Sequence, residues 1–256
     1  FVQAFDYLEM AANTQEMCVT GGTGFIAAYL IRGLLQKGYT VRTTVRNPGN
    51  VEKIGYLWDL PGAKERLKIM KADLLEEGSF DEAVNGADGV FHTASPVLVP
   101  YDHNIKLWYA FVKTIVEKEA WKFAEEKGLY LVVLNPSFVV GQLLAPEPTS
   151  TLYLVLNIMK GENNKTYPNK RMGFVHIDDV ITAHILAMEL PLASGRIICS
   201  SDVAHWGEIV RMLKKKYPMY PIANKCGAEE GNDSAHTINT SKIRSLVFGS
   251  FKSLEE

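Results

Sequence analysis

In the stretch KLWYAFVKT, residues 106–114, Tyr109 and Lys113 stand four residues apart. On a helix that spacing puts both side chains on one face. A phenol ionises near pH ~10, and a tyrosine that gives and takes a proton near neutrality needs a drop of about 3 pKa units, or about 4 kcal/mol. One ammonium about 4 Å away, at an effective dielectric of about 20, supplies about that much. The pair is a candidate proton donor, Tyr109, with an electrostatic partner, Lys113, that can also hold a ribose. The same spacing is common on exposed helices, so its meaning depends on what precedes it.

What precedes it is VTGGTGFIA. Gly21, Gly24 and Ala27 fall where an apolar strand pattern, EMCVT, passes into a helical one, GFIAAYLIRGLLQKG. Small residues at such a turn let the backbone lie close to a pyrophosphate, and the helix N-terminus points N–H groups at it. A dinucleotide site is the chemical reading; a mere tight turn is the alternative. An NAD site would carry an acid about 20 residues after the turn for the ribose 2′-hydroxyl. No Asp or Glu occurs between Gly38 and Asn50; Arg42 and Arg46 stand there instead, with the parity of one strand side. Guanidinium groups suit a 2′-phosphate, so NADPH is expected, with two solvated edge arginines as the alternative. Asp73 either accepts from an adenine amino group or starts a turn.

These residues need a scaffold, and the first half supplies one by alternating short apolar runs with amphipathic segments, the pattern of βαβ units on a parallel sheet. Strands are predicted at EMCVT, YTVRTTV, RLKIMKAD and GVFHTAS. GFIAAYLIRGLLQKG is a helix stopped by Gly38, and GSFDEAVNGAD opens one with Ser79 and Glu82 at capping-box spacing. YAFVKTIVEKEAWKFAEEKG is a long helix, and the apolar LYLVVLNPSFVVG reads as a central strand. Beyond Pro136, prolines at 146, 148, 168, 191, 218 and 221 break the chain into shorter elements. The expected fold is α/β, a Rossmann-type doubly wound parallel sheet over residues 1–135, then a smaller substrate-binding region over 136–256 with segments returning to the first domain.

Composition excludes other classes. The 256 residues are 47% hydrophobic, with 27 Lys and Arg against 29 Asp and Glu. That near-balance gives no electrostatic reason to expect nucleic acid. No apolar run reaches the roughly 18 residues of a membrane span. Cys18, Cys199 and Cys226 show no metal-ligand spacing and read as inert thiols of a reduced compartment. His176, Asp178, Asp179 and His184 invite a metal reading, but acids opening a helix at its positive end explain the carboxylates, and no metal is expected. The four tryptophans, Trp58, Trp108, Trp121 and Trp206, read as packing residues. No nucleophile elbow or P-loop is present. Residues 1–17 read as an ill-defined leader, with a cytoplasmic location expected and plastid or endoplasmic-reticulum association as alternatives.

TGGTGFIA, TVRTTVRNP, KADL, GVFHTASP, YAFVK, NPSFVVG and GFVHIDDV together resemble the extended short-chain dehydrogenases/reductases, in the plant branch of dihydroflavonol and cinnamoyl-CoA reductases. GSFDEAVNGADGVFHTASPVLVPYDHNI, LLAPEPTSTL and ASGRIICSSDVAHWGEIV resemble the branch members that reduce tetraketide α-pyrones for pollen-wall sporopollenin. The resemblance implies that Tyr109 protonates the carbonyl oxygen and Lys113 supports it. It places Gly21, Thr23, Gly24, Phe25 and Ile26 at the pyrophosphate, Arg42 at the 2′-phosphate, and Asp73 with Leu74 at the adenine. Thr93, Ala94 and Ser95 would border the ribose and nicotinamide, and Pro136 and Val139 the carboxamide. KLWYAFVKT lacks the cysteine-containing stretch of cinnamoyl-CoA reductases, which argues against a CoA ester. The implied substrate is a small hydrophobic carbonyl compound and the implied state a monomer. Dihydroflavonols or aromatic aldehydes are alternative substrates; a silent NADP-binding protein and a sugar-nucleotide epimerase are alternatives of another class.

One departure stands out. The family's catalytic serine lies on a strand between FHTASP and the tyrosine helix, yet here only the 12 residues Val97 to Trp108 separate Pro96 from Tyr109. A crossover alone takes at least about 10–12 residues and a strand about five more. Residues are therefore expected to be missing between Ile105 and Lys106; without them activity is not expected. Ser95 does not fill the serine's place, and the chain also stops short of the family's usual end.

Overall fold

The computed structural model describes residues 15–95, 103–148, 150–228, 234–246 and 248–255. Most of the leader-like N-terminus and part of the stretch preceding the expected break, residues 1–14 and 96–102, lie outside them. The chain packs as two units, one within Phe1–Ser95 and Leu143–Glu147, the other within Pro96–Gln142 and Pro148–Glu256.

The first unit runs β1 (Glu16–Thr20), α1 (Phe25–Gln36), β2 (Thr40–Val45), α2 (Val51–Trp58), α3 (Ala63–Arg66), β3 (Leu67–Lys71), α4 (Asp81–Val84) and β4 (Gly89–His92). Its four strands are all parallel in the order β3-β2-β1-β4, one wing of a nucleotide-binding sheet. β1 is central, and Met17, Cys18 and Val19 are at most 1% exposed, as a strand covered on both faces requires. Leu30, Ile31, Leu34 and Leu35 of α1 are buried at helical spacing; each contributes about 1.5–3 kcal/mol. Gly38 ends that helix at φ +87°, a conformation glycine takes without strain. The capping box expected at α4 does not form. Ser79 Oγ instead donates to the Asp73 carbonyl at 2.7 Å and accepts from the Asp73 N–H at 3.1 Å, satisfying both backbone groups of one turn residue.

The second unit runs α5 (His103–Lys127), β5 (Val132–Pro136), β6 (Phe138–Val140), α6 (Ser150–Lys160), α7 (Glu162–Lys165), β7 (Thr166–Tyr167) and β8 (Arg171–His176). It continues through α8 (Ile177–Glu189), β9 (Gly195–Cys199), β10 (Asp202–His205), α9 (Trp206–Lys216), β11 (Lys225–Cys226) and α10 (Ser241–Arg244). β8 lies between antiparallel β10 and parallel β6, β7 pairs with β11, and β5 pairs with β9 in parallel. The sequence expects β5 to be central and fully covered. It is instead half-buried along its length, because β9 is its sole strand partner among the described residues. α5 runs unbroken across the Ile105–Lys106 junction, and the unit that holds it takes in residues on both sides of 135–136.

The core of the second unit is aromatic. Phe138, Phe174 and Trp206 form a mutual edge-to-face trio with centroids 5.2–5.5 Å apart, on β6, β8 and the start of α9. Trp206 is fully buried and donates its indole N–H to Met172 Sδ. The expectation of packing tryptophans holds there but not at Trp58 and Trp108, which are 38% and 63% exposed. Cys18 and Cys199 are buried, and burial with the nearby Asp179 charge pushes Cys199 up to about 12; Cys226 is exposed.

A polar tie fixes the inner face of α5. Glu117 accepts from Arg196 of β9 at 2.6 Å, from Trp121 at 3.2 Å and from Asn135 of β5 at 3.5 Å. Burial raises the Glu117 carboxyl, but the bonds from Arg196 and Trp121 and the Arg196 charge outweigh it and hold the group below its ordinary value.

Two outcomes are expected. Trp206→Ala costs about 3–5 kcal/mol in chemical denaturation, since the trio cannot close over the space. Glu117→Gln costs about 1–2 kcal/mol at about pH 7. Because the folded carboxyl is held low, this contribution is present above the ordinary carboxylate range and fades as pH falls through the folded value. The gap between wild type and variant therefore narrows in acid, which denaturation curves at a series of pH values will read.

Candidate cofactor and catalytic sites

Of the residues expected to hold a cofactor, Gly21, Gly24, Thr93 and Ala94 meet at the turn between β1 and α1. Gly21 sits at φ +75°, and a Cβ there would come 2.9 Å from the Ala94 Cα. A Cβ on Gly22 would strike Thr43 Oγ1 at 2.3 Å. The Gly21 N–H donates to Thr44 Oγ1 and the Gly22 N–H to the Thr44 carbonyl, which seats the turn on the end of β2. Thr20 Oγ1 accepts from the N–H groups of Thr93 and Ala94, both at 3.1 Å, while Thr93 Oγ1 donates to the Thr20 carbonyl at 2.6 Å. Gly21, Gly24, Thr93 and Ala94 are thus held around one turn at the carboxyl ends of β1 and β4.

α1 begins at Gly24 with no side-chain cap and no acid in its first turn. Its opening N–H groups, those of Phe25 and Ile26 among them, face an acceptor that the helix does not supply. Phe25 is buried against Tyr29 and offers its backbone alone, whereas Thr23 is exposed. A glycine cradle too tight for a Cβ, joined to an uncapped helix start, fits a pyrophosphate.

The two arginines separate. Arg42 pairs with Cys18 in mid-strand register, and its guanidinium donates to Glu16 and to the Asn85 carbonyl at 2.7 Å. The hydrogen bond from Arg42 holds the Glu16 carboxyl below its ordinary value, with the arginine's charge adding. Arg42 is therefore a strand tie near the amino end of β1, away from the glycine turn; the 2′-phosphate role expected of it is corrected by geometry. Arg46 follows Val45 directly at the carboxyl end of β2, two residues past the Thr44 that holds the turn, and is exposed. Asp73 starts a turn, its Oδ1 accepting from the Leu75 N–H at 3.0 Å, and Leu74 beside it is 47% exposed.

In the second unit Tyr109 and Lys113 lie one helical turn apart on α5, both exposed. Glu117 continues the series at the same interval. It went unread in the sequence, although the Tyr109, Lys113, Glu117 spacing was visible there; what was not visible was Arg196, its partner 79 residues on. Thr20 and Thr44, which position the glycine turn, were missed for the same reason. Pro136 pairs with Cys199 along β5, while Val139 is buried and its side chain belongs to the core. Ser95 is half-buried just past β4.

The His176 cluster is structural. His176 Nδ1 accepts from the Asp178 N–H at the start of α8, Asp178 pairs with Lys252 at 2.8 Å, and Asp179 Oδ2 accepts from the Lys252 N–H at 2.9 Å. His184 Nδ1 lies 2.8 Å from the Val180 carbonyl, and burial lowers that imidazole.

Comparison with known proteins agrees with this frame. A profile of the GDP-mannose 4,6 dehydratase family matches residues 18–105, and one of the NAD dependent epimerase/dehydratase family matches residues 100–198. Tetraketide alpha-pyrone reductase 2 of Arabidopsis thaliana is 52% identical over 305 aligned positions, taking in 94% of this chain and 95% of that protein. The alignment is longer than the 256 residues here, so part of that relative has no counterpart in this chain. Tetraketide alpha-pyrone reductase 1 of the same plant is 41% identical, with 94% and 92% covered. The crystal structure of vestitone reductase from alfalfa (Medicago sativa L.) matches with a TM-score of 0.78 at 29% identity, covering 94% of each chain. With the parallel sheet, the glycine turn and these relatives together, the chain belongs to the cinnamoyl-CoA and dihydroflavonol reductase-like family of extended short-chain dehydrogenases/reductases.

Proposed function

We propose that this chain is an NADPH-dependent reductase of a carbonyl on a hydrophobic polyketide-type substrate, with hydroxyalkyl tetraketide α-pyrones of sporopollenin synthesis as the substrate class. The observation that carries the proposal is the 52% identity to a reductase of that name over 94% of the chain. Bound NADPH would supply the hydride. Gly21, Thr23, Gly24, Phe25 and Ile26 hold the pyrophosphate through backbone N–H groups, Leu74 packs on the adenine beside Asp73, and Arg46 takes the 2′-phosphate. Thr93, Ala94, Ser95 and Pro136 serve the ribose and nicotinamide end. Tyr109 gives its proton to the carbonyl oxygen, and Lys113 lowers the cost of the phenolate that remains. The proposal includes a cytoplasmic monomer; no helix among the described residues is long and apolar enough to cross a membrane.

A second reading, a catalytically silent NADP-binding protein, is favoured by one observation: the 12 residues from Val97 to Trp108 leave no room for the strand that carries the family's serine. A sugar-nucleotide epimerase, which recycles a tightly held NAD, is opposed by Arg46 at the position where NAD sites carry an acid.

Turnover with NADPH and a panel of α-pyrones, aldehydes and dihydroflavonols separates these. If the reductase reading holds, α-pyrones are consumed, and Tyr109→Phe lowers kcat about 100-fold or more with NADPH affinity unchanged. Tight NADPH binding with no turnover of any carbonyl leaves the silent protein. Arg46→Ala is expected to weaken NADPH about tenfold, or about 1.4 kcal/mol, with NADH unaffected. Arg42→Ala should lower the melting temperature without changing cofactor preference; the reverse result would return the phosphate role to Arg42.

A further inference from the structure

The near-balance of charge over the whole chain conceals a local excess. Between Glu208 and Glu229 lie 20 residues with five cations, Arg211, Lys214, Lys215, Lys216 and Lys225, and no acid, in a chain whose net charge is -2. The first four are exposed on the second half of α9. Arg211 and Lys214 also line a cleft of about 360 Å³, with Tyr167, Arg171, Glu208 and Asn224 around it. Glu208 and Glu162, which border the patch, are paired, the first with Arg171 at 3.0 Å and the second with Lys160 at 4.0 Å.

Directly after the lysines the chain turns sharply. The Tyr217 N–H donates to the Leu213 carbonyl at 2.7 Å, and the Tyr220 N–H to the Tyr217 carbonyl at 3.2 Å. Pro218 takes the second position of this four-residue turn, where its fixed φ is pre-set, and Met219 takes the third. Just beyond, Ile222 and Ala223 are buried in the Trp206 core, and the Ala223 N–H donates to the Ile158 carbonyl at 2.8 Å. The turn is held at both ends, yet its tip is bare. Met219 is 92% exposed, between Tyr217 and Tyr220, whose rings meet edge to face at 6.1 Å. A lone exposed apolar residue needs no explanation; a fixed turn that raises a thioether between two phenols, beside a run of lysines, calls for a partner.

Shape and charge select that partner. A protein would need a pocket moulded to the Met219 tip. A bilayer interface accepts any protruding apolar side chain, seats tyrosine rings at headgroup level and attracts lysines through its negative surface potential.

We propose that the end of α9 and the 217–220 turn form a reversible docking surface for an anionic membrane. Met219 enters the acyl boundary, Tyr217 and Tyr220 rest among the headgroups, and Arg211, Lys214 and Lys215 meet lipid phosphates, one of which the cleft receives. Each lysine contributes about fivefold in affinity, or about 1 kcal/mol, so attachment is weak and follows the lipid charge. All of these residues belong to the second unit, and the proposal rests on neither the substrate nor the cofactor.

The test is co-flotation of the intact chain with vesicles. Expected is binding to phosphatidylcholine vesicles holding about 30% phosphatidylserine, at least about tenfold weaker binding to phosphatidylcholine alone, and loss of binding as salt rises from about 0.05 M to about 0.5 M. Lys214→Gln with Lys215→Gln weakens binding about 25-fold and Met219→Asp at least about tenfold, whereas Lys53→Gln with Lys118→Gln, exposed lysines elsewhere, changes it less than about twofold. Equal binding to neutral vesicles, or binding indifferent to the Met219 and lysine changes, overturns the proposal. Absence of vesicle binding overturns it too, and capture of inorganic phosphate or a polyglutamate peptide by the same lysines would then reassign the patch to a soluble anion or an acidic protein. Carbonyl turnover measured without vesicles reads the proposed function separately, so its failure leaves the docking surface standing.

Discussion

The nucleotide-binding unit depends on how closely the backbone at Gly21 approaches the end of β4. A separation of 2.9 Å between a notional Cβ and the Ala94 Cα leaves no room for any side chain. Thr20 makes the approach possible by binding two N–H groups of the neighbouring strand through one hydroxyl, where a purely apolar residue would leave both donors unpaired. The glycine turn is thereby fixed before any ligand arrives, and the uncapped start of α1 is presented at a defined height above the sheet. Pre-formed backbone donors of this kind favour binding because little ordering remains to be done.

Much of this was legible in the chain itself. β1, α1, β2 and β4 lie where apolar runs and the Gly38 stop predict them, since each is decided by local pattern. The sites were legible in kind and less so in detail. Arg42 and Arg46 have the same parity, and nothing within the strand distinguishes them; the difference comes from Glu16 and Asn85, which reach Arg42 from elsewhere in the fold. Ser79 looked like a helix cap because the spacing to Glu82 is right, but the turn at Asp73 offered its hydroxyl two partners instead of one. β5 was read as central from its uninterrupted hydrophobicity, and that hydrophobicity is real. What the pattern does not convey is that β9 alone pairs with it among the described residues.

α5 and β5 express the same mismatch. Their composition suits a deeper position than they occupy: α5 leaves Trp108 to Val116 exposed, and β5 is half-buried along its length. Glu117 shows that the inner face of the helix is nonetheless firmly placed: three donors from the helix itself, β5 and β9 converge on its carboxylate. The orientation of Tyr109 and Lys113 about the helix axis is inherited from that anchor four and eight residues further on.

The trio of Phe138, Phe174 and Trp206 has an optical consequence. Rigid aromatic rings in edge contact at 5.2–5.5 Å couple their transitions, and such coupling gives strong near-ultraviolet dichroism that vanishes when the rings begin to tumble. All three belong to the second unit, whereas the first contains Trp58 as its single tryptophan among the described residues, near the surface. The chain thus carries its own chromophore for one half, and that half's melting can be followed without labels through the coupled signal of the trio, which has no tryptophan-containing counterpart among the described residues of the other.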